Sequence, residues 1–318
     1  MATNIVRFND GDQVRWGVAN GQVVSIVDGT YETTGDFLRD GRTALAVAQK
    51  AGANDRELSK LDLLSPITKN QQFLCQFTNY KSHIIEGGRK PEDVHSNVIF
   101  RKASSCISPP DTDIHKPEGV KLLDYEIEIG LVLGEDIDSA VDVTEQSLSD
   151  YIAGLVMVND VSARDVQIPQ VQAYKAKSFR TFGPVGPFLT LLTRGDFAQF
   201  DRLRLMLDVN GDRRQDAYAS DMHFKPAETL SELSRIQDLQ MGDLIATGTP
   251  GGTAIKAPSK LVMMIAQLLP QATAWKLFLK KSMKNPDYLQ PNDEILATIR
   301  TGDGSIDLGF QHNLVVSG

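Results

Sequence analysis

Residues 123–134 read LDYEIEIGLVLG, and this stretch constrains the chain more than any other. Its apolar residues recur at every second position, the period of a β-strand. Tyr125, Ile127, Ile129, Leu131 and Leu133 fall on one face, and Glu126, Glu128, Gly130 and Val132 on the other. The two glutamates are then neighbours roughly 7 Å apart along the backbone. Such a pair repels unless solvent or a cation lies between. Taken alone, Glu-x-Glu on a strand fits a solvated acidic edge.

Residues 154–167, GLVMVNDVSARDVQ, add a second signal. An apolar strand runs directly into Asn159-Asp160, and a carboxylate at the end of a buried strand is better placed for a site than for solvent. Glu126, Glu128 and Asp160 together offer three hard oxygen donors. With no His or Cys beside them, Mg²⁺, Mn²⁺ or Ca²⁺ is favoured over zinc. On this reading Glu126→Ala removes a ligand, relieves repulsion and leaves folding largely intact.

Composition narrows the function classes. The 318 residues suggest two structural units or one large one. Lys plus Arg is 33 against 41 Asp plus Glu, a net charge of −8 with no basic cluster. That argues against nucleic-acid and anionic-membrane partners. The longest strongly apolar stretch, Leu261–Leu269, falls far short of the 20 or so residues of a membrane span. The opening MATNIVRFND has no apolar signal core, so a cytoplasmic location is expected. Cys75 and Cys106 form neither a disulfide framework nor a Cys-type zinc site.

Residues 1–66 read as a small β-rich domain. Asp10-Gly11, Asn20-Gly21 and Asp28-Gly29 are hairpin signals, helical segments follow from Arg39, and Ser65-Pro66 marks the boundary. Residues 67–318 form a second domain rich in short strands, with a helix over 226–236 and another leading from residue 142 into the strand before Asn159. The fold class is therefore mixed, β-rich α+β. Residues 254–290 break the pattern with two apolar helical stretches. Leu261, Met264, Ile265, Leu268, Trp275, Leu277 and Phe278 are too many to leave in water. This insertion is predicted to narrow the pocket, with the rest packing on the body or on a partner subunit.

In order along the chain, LDYEIEIG, NDVSARDVQ, KSFRTFGPVGPF (177–188), the VNG turn (209–211) and GDLIATGTPGG (242–252) resemble the fumarylacetoacetate hydrolase family. The N-terminal unit is similar to the small β domain that precedes the catalytic domain in many bacterial members. The resemblance implies a rolled-sheet or barrel catalytic domain and a homodimer. It makes Glu126, Glu128 and Asp160 metal ligands. It makes Lys177 the active-site lysine, although that residue alone reads as a surface lysine. Gln167 and Thr249 would line the substrate pocket.

TNYKSHIIEGG (78–88) sets His83 three residues before Glu86, on one face of a helical turn. A carboxylate beside an imidazole fixes its tautomer and raises its basicity, so the pair can take a proton from water. His-x-x-Glu is more often an ordinary surface pair. The resemblance implies a lid over the substrate that carries Asn79, Tyr80, His83 and Glu86. The implied substrates are small β-dicarbonyl or acylpyruvate-like acids, handled in catabolism. The implied reaction is C–C hydrolysis through a metal-stabilised enolate, with decarboxylation or enol–keto isomerisation as the rival. A non-catalytic binding protein is the third reading, and the intact ligand set and dyad speak against it. The insertion departs from the short loop of typical members and points to a bulkier or less charged dicarbonyl.

Overall fold

Short alternating runs broken by Gly and Asn turns fold here into sheets with few helices. The computed structural model describes residues 2–49, 55–257, 264 and 268–318. Thr3–Asp10, Gln13–Asn20 and Val23–Val27 form an antiparallel meander whose first two turns are those expected from Asp10-Gly11 and Asn20-Gly21. Asp28-Gly29 instead leads to the helix Thr34–Asp40, whose start is fixed by a capping box between Thr33 and Asp36. A second helix, Arg42–Ala48, follows.

Thr3–Asp10 also pairs with Leu189–Leu191, which joins the meander to the main sheet. That sheet has 11 strands among the described residues. Its centre is Ile152–Asn159, Ile127–Leu133, Leu244–Ala246 and Phe73–Phe77, side by side. It ends at Asp55–Glu57 on one edge and Val98–Lys102 on the other, so it is open. The mixed β-rich architecture is as expected; a closed barrel is not formed. A second sheet of five strands runs Asp212–Tyr218, Arg204–Val209, Glu294–Arg300, Asp307–Ser317 and Ile114–Lys116. Its tight hairpin is set by Asn210 and Gly211, both at positive φ (53° and 83°).

Two local expectations change. The strand expected over 123–134 is interrupted: Leu123–Asp124 pairs with Ser162–Ala163, and the ladder with Ile152–Asn159 starts only at Ile127. All seven residues of Ile127–Leu133 are buried, because strands flank them on both sides and the second sheet lies against them through Gln215. The acidic face is therefore internal. The helix expected from residue 142 shrinks to Leu148–Tyr151, since the chain before it is held in another way: the Val141 and Val143 N–H groups donate to the Ser234 and Ser231 hydroxyls.

Candidate active site

Strand register builds the carboxylate cluster. Ile127 pairs with Asn159, and one step further Glu126 faces Asp160. The Asn159 side-chain oxygen accepts the Glu126 N–H at 3.0 Å, and the Glu126 carbonyl accepts the Asp160 N–H at 2.8 Å. Glu128 lies two residues along, on the same face. Carboxylate oxygens of Glu126, Glu128 and Asp160 all lie within 4.8 Å of one another, and all three residues are buried.

The opposite neighbour of Ile127–Leu133 supplies the Gly-rich turn. Its register brings Gly248 beside Glu128, and the Gly248 N–H donates to Glu128 Oε2 at 2.9 Å. Gly248 has φ 82°, and a Cβ there would lie 2.9 Å from that of Asn79, so glycine is required. Gly252, at φ 103°, leaves only 2.0 Å between an added Cβ and the Arg214 carbonyl oxygen.

Three buried cations frame the cluster. Lys177 Nζ donates to Glu126 Oε2 at 2.5 Å and to Asp160 Oδ2. Lys102 Nζ donates to Asp160 Oδ1 at 2.5 Å and to the Phe182 carbonyl at 2.7 Å. Arg164 donates through Nη2 to Glu126 and through Nη1 to Gln167 Oε1 at 2.8 Å. These charges separate the glutamates electrostatically. Burial alone would raise the Glu126 carboxyl, but Arg164 and Lys177 outweigh it and bring it to about 2. Glu128 touches none of the three cations. Burial first, and the charges of Asp160 and Glu126 second, push it well above the usual carboxylate range. The expectation that Glu126→Ala spares the fold is thereby corrected. The substitution would leave Arg164 and Lys177 as under-compensated buried cations.

The helix Lys81–Glu86 sits on the Gly-rich turn. Asn79 holds its entry by donating to the Phe224 and Thr247 carbonyls and accepting the Phe224 N–H. The Ser82 hydroxyl accepts the Gly251 N–H at 3.1 Å. Glu86 Oε2 accepts the Gly252 N–H at 2.8 Å, and its Oε1 lies 3.3 Å from Lys256 Nζ. His83 Nδ1 is 4.0 Å from Glu86 Oε2, and this buried nitrogen has no hydrogen-bond partner among the described residues. The two residues are adjacent, but Glu86 serves the turn rather than the imidazole. His83 is near enough to Glu126 to help lower that carboxyl.

The other expected pocket residues separate. Tyr80 is fully buried and its hydroxyl has no hydrogen-bond partner among the described residues; burial, then the Glu128 charge, raises it well above the usual phenol range. Gln167 is buried and oriented by Arg164. Thr249 spends its hydroxyl on structure, donating to the Ile127 carbonyl at 2.9 Å and accepting from Gln215 Nε2 at 2.8 Å. Sequence reasoning missed Lys102, Arg164, Asp124 and Gln215. Lys102 is the last residue of a strand that opens Val98-Ile99-Phe100, much as Asp160 directly follows one, and that position is the signal that could have found it.

In the insertion, the helix Gln271–Ser282 carries Trp275 stacked on Phe278, with ring centroids 5.4 Å apart. Phe278 and Leu279 pack on the core. Met264, Leu268 and Leu277 are exposed in the single chain, so of the two expected covers, the body and a partner subunit, the body does not bury them. Leu261 and Ile265 lie outside the described residues.

The donor chemistry fits a hard divalent cation: three buried carboxylates form the cluster, and Glu128 has no hydrogen bond to Lys102, Arg164 or Lys177. Among the described residues no helix is long and apolar enough to cross a membrane. A candidate hydrolase of Burkholderia ambifaria is 34% identical over 263 residues, covering 79% of this chain and 88% of that protein. The fumarylacetoacetate hydrolase of Exiguobacterium antarcticum has a similar structure, with TM-score 0.71 at 27% identity, covering 99% of this chain and 100% of that one. The 2-hydroxyhepta-2,4-diene-1,7-dioate isomerase of Mycobacterium marinum shares the fold, with TM-score 0.70 at 23% identity over 99% and 98% of the two chains. Residues 4–66 match the family described as Rv2993c-like, N-terminal. Residues 72–316 match the family described as fumarylacetoacetate (FAA) hydrolase C-terminal, and the chain belongs to the fumarylacetoacetate hydrolase family.

Proposed function

We propose that this protein is a divalent-metal-dependent hydrolase that cleaves a C–C bond in a β-dicarbonyl or acylpyruvate-like acid. The observation that carries the reading is the buried three-carboxylate cluster with His83 on the helix beside it. Glu126, Glu128 and Asp160 would hold Mg²⁺ or Mn²⁺, with Ca²⁺ as the other hard cation that suits them. A bound ion would supply Lewis-acid stabilisation of substrate oxygens that gain negative charge.

The chain's own residues do the rest. His83 takes a proton from water, and the water oxygen bonds to the acyl carbonyl carbon. Glu86, 4.0 Å away, closes on the imidazole as it becomes charged. The C–C bond then breaks, and its electron pair passes to the carbonyl of the departing fragment, whose carbon later takes a proton. Lys177 and Gln167 donate to oxygens that gain negative charge. Tyr80 offers a buried hydroxyl to the same substrate. Thr249 contributes by shaping the turn.

Decarboxylation or enol–keto isomerisation is the second reading. Neither needs attack by water: isomerisation moves protons alone, and decarboxylation breaks the bond to the carboxylate, releases carbon dioxide and then protonates the carbon left behind. The missing His83–Glu86 hydrogen bond favours this reading. A panel of acylpyruvates, β-diketo acids and oxaloacetate with Mg²⁺ or Mn²⁺ separates the two. Hydrolysis yields two smaller acids, decarboxylation loses carbon dioxide, and isomerisation leaves the mass unchanged. The exposed Met264, Leu268 and Leu277 support a homodimer in which a second copy covers them. Light scattering that finds a monomer at micromolar concentration would rule this out.

A further inference from the structure

Asp124 lies outside the carboxylate cluster, yet it is fully buried and all of its acceptor capacity is in use. Its Oδ1 accepts the Tyr125 N–H at 2.9 Å and the Ala254 N–H at 2.8 Å. Its Oδ2 accepts the Ile255 N–H at 3.1 Å and Arg164 Nε at 2.8 Å. A carboxylate has about four acceptor positions, so this one has none left for a metal or a substrate. Two of the four donors belong to the first residues of the insertion. A third, Arg164, reaches on to Glu126 and Gln167.

The far end of the insertion returns to the same point. Asn285 Nδ2 donates to the Ala254 carbonyl at 2.8 Å, just beyond the helix Gln271–Ser282. Ala254 is thus pinned through its N–H to Asp124 and through its carbonyl to Asn285. We propose that Asp124 is a positioning residue that couples the root of the 254–290 insertion to Glu126 through Arg164. Divalent-ion binding and the ordering of residues 254–255 then reinforce each other.

The physical cause is the shared guanidinium. Arg164 divides its donors between Asp124 and Glu126. When the Ala254 and Ile255 amides leave, Asp124 loses two of its four donors and draws Arg164 more strongly, and the donor aimed at Glu126 shifts. Fixing Glu126 on an ion has the reverse effect, because coupling between two equilibria is reciprocal.

The inference rests on the metal reading, and its test keeps the two apart. Hydrogen exchange of the peptide spanning 254–257 is measured by mass spectrometry on the full chain, with and without saturating Mg²⁺. Mg²⁺ affinity is measured by calorimetry. In the unsubstituted protein Mg²⁺ should slow exchange about fivefold or more. Asp124→Asn should abolish that slowing and weaken Mg²⁺ binding about 10- to 100-fold, as for groups that orient a ligand. If Asp124→Asn does not fold, Asn285→Ala tests the same link from the other side: exchange at 254–257 should speed up and Mg²⁺ affinity should fall. Faster exchange in either variant with unchanged Mg²⁺ affinity would mean that Asp124 merely anchors the chain, and would overturn the coupling. So would Mg²⁺ binding that leaves exchange unaltered. No Mg²⁺ binding at all would overturn the metal reading and the coupling with it.

Discussion

Gly248 donates its backbone N–H to Glu128 Oε2 at 2.9 Å, and Lys102, Arg164 and Lys177 all place their hydrogen bonds elsewhere. Glu126, on the same face, is held by Arg164 and Lys177. Two glutamates of one Glu-x-Glu motif therefore play different parts. One is locked and ionised by the protein, and the other awaits a cation.

Glu128→Gln should separate metal binding from folding. Gln keeps an acceptor for Gly248 and removes a carboxylate whose ionised form is disfavoured by burial. Divalent affinity should fall at least about 100-fold, since even residues behind the ligands cost that order. The melting temperature of the metal-free protein should stay level or rise, as scanning calorimetry in chelator would record. A drop of many degrees would show that Glu128 is a structural group.

Lys102→Met should be among the most damaging single substitutions. It removes one of the two buried ammonium donors of Asp160, Lys177 being the other, and leaves the Phe182 carbonyl to the Val161 N–H. Breaking one partner of such a pair costs about 3–5 kcal/mol. Urea unfolding at neutral pH gives the value, and a loss below about 1 kcal/mol would mean that Lys177 alone suffices for Asp160.

His83→Ala should lower hydrolysis about 10²- to 10⁴-fold, the usual worth of a general base. Mg²⁺ affinity should hardly change, because His83 is not a ligand. Steady-state rates with calorimetry on the same preparation check both parts. A rate loss of only a few fold would remove His83 from the role of base.

Glu86 gives a pH signature. Burial alone would raise its carboxyl, but His83 nearby, the Gly252 amide and Lys256 outweigh this and bring it from 4.5 to about 2. A lowered folded-state value stabilises the protein above the unfolded value and loses that stability as pH falls. The excess stability of the parent over Glu86→Gln should therefore be full above about pH 5 and shrink toward pH 2. Urea midpoints across that range test it; a difference that grows on acidification would contradict the assignment.

What the sequence revealed and what it hid divide along the range of the contacts. Glu126 and Glu128 announce themselves by alternation, and Asp160 by closing an apolar strand, because these are local patterns. Strand register then needs only one antiparallel pairing to bring them together. Lys102, Arg164 and Asp124 are ordinary charges in sequence. Their roles depend on partners 38 to 130 positions away. The His83–Glu86 spacing correctly gave adjacency, yet it could not reveal that the Gly252 amide claims the carboxylate. The alternation at 123–134 reveals the strand from Ile127 on but not the break after Asp124, and it hides the burial of Glu126 and Glu128, which flanking strands and the Arg164 and Lys177 side chains enclose.

The most direct test is the fate of an acylpyruvate incubated with metal-stripped and Mn²⁺-reloaded protein, with products identified by mass. The account predicts pyruvate and the acyl fragment's carboxylic acid from the reloaded protein, and neither in chelator. Full turnover in chelator, or conversion only to an isomer or a decarboxylated product, would contradict it.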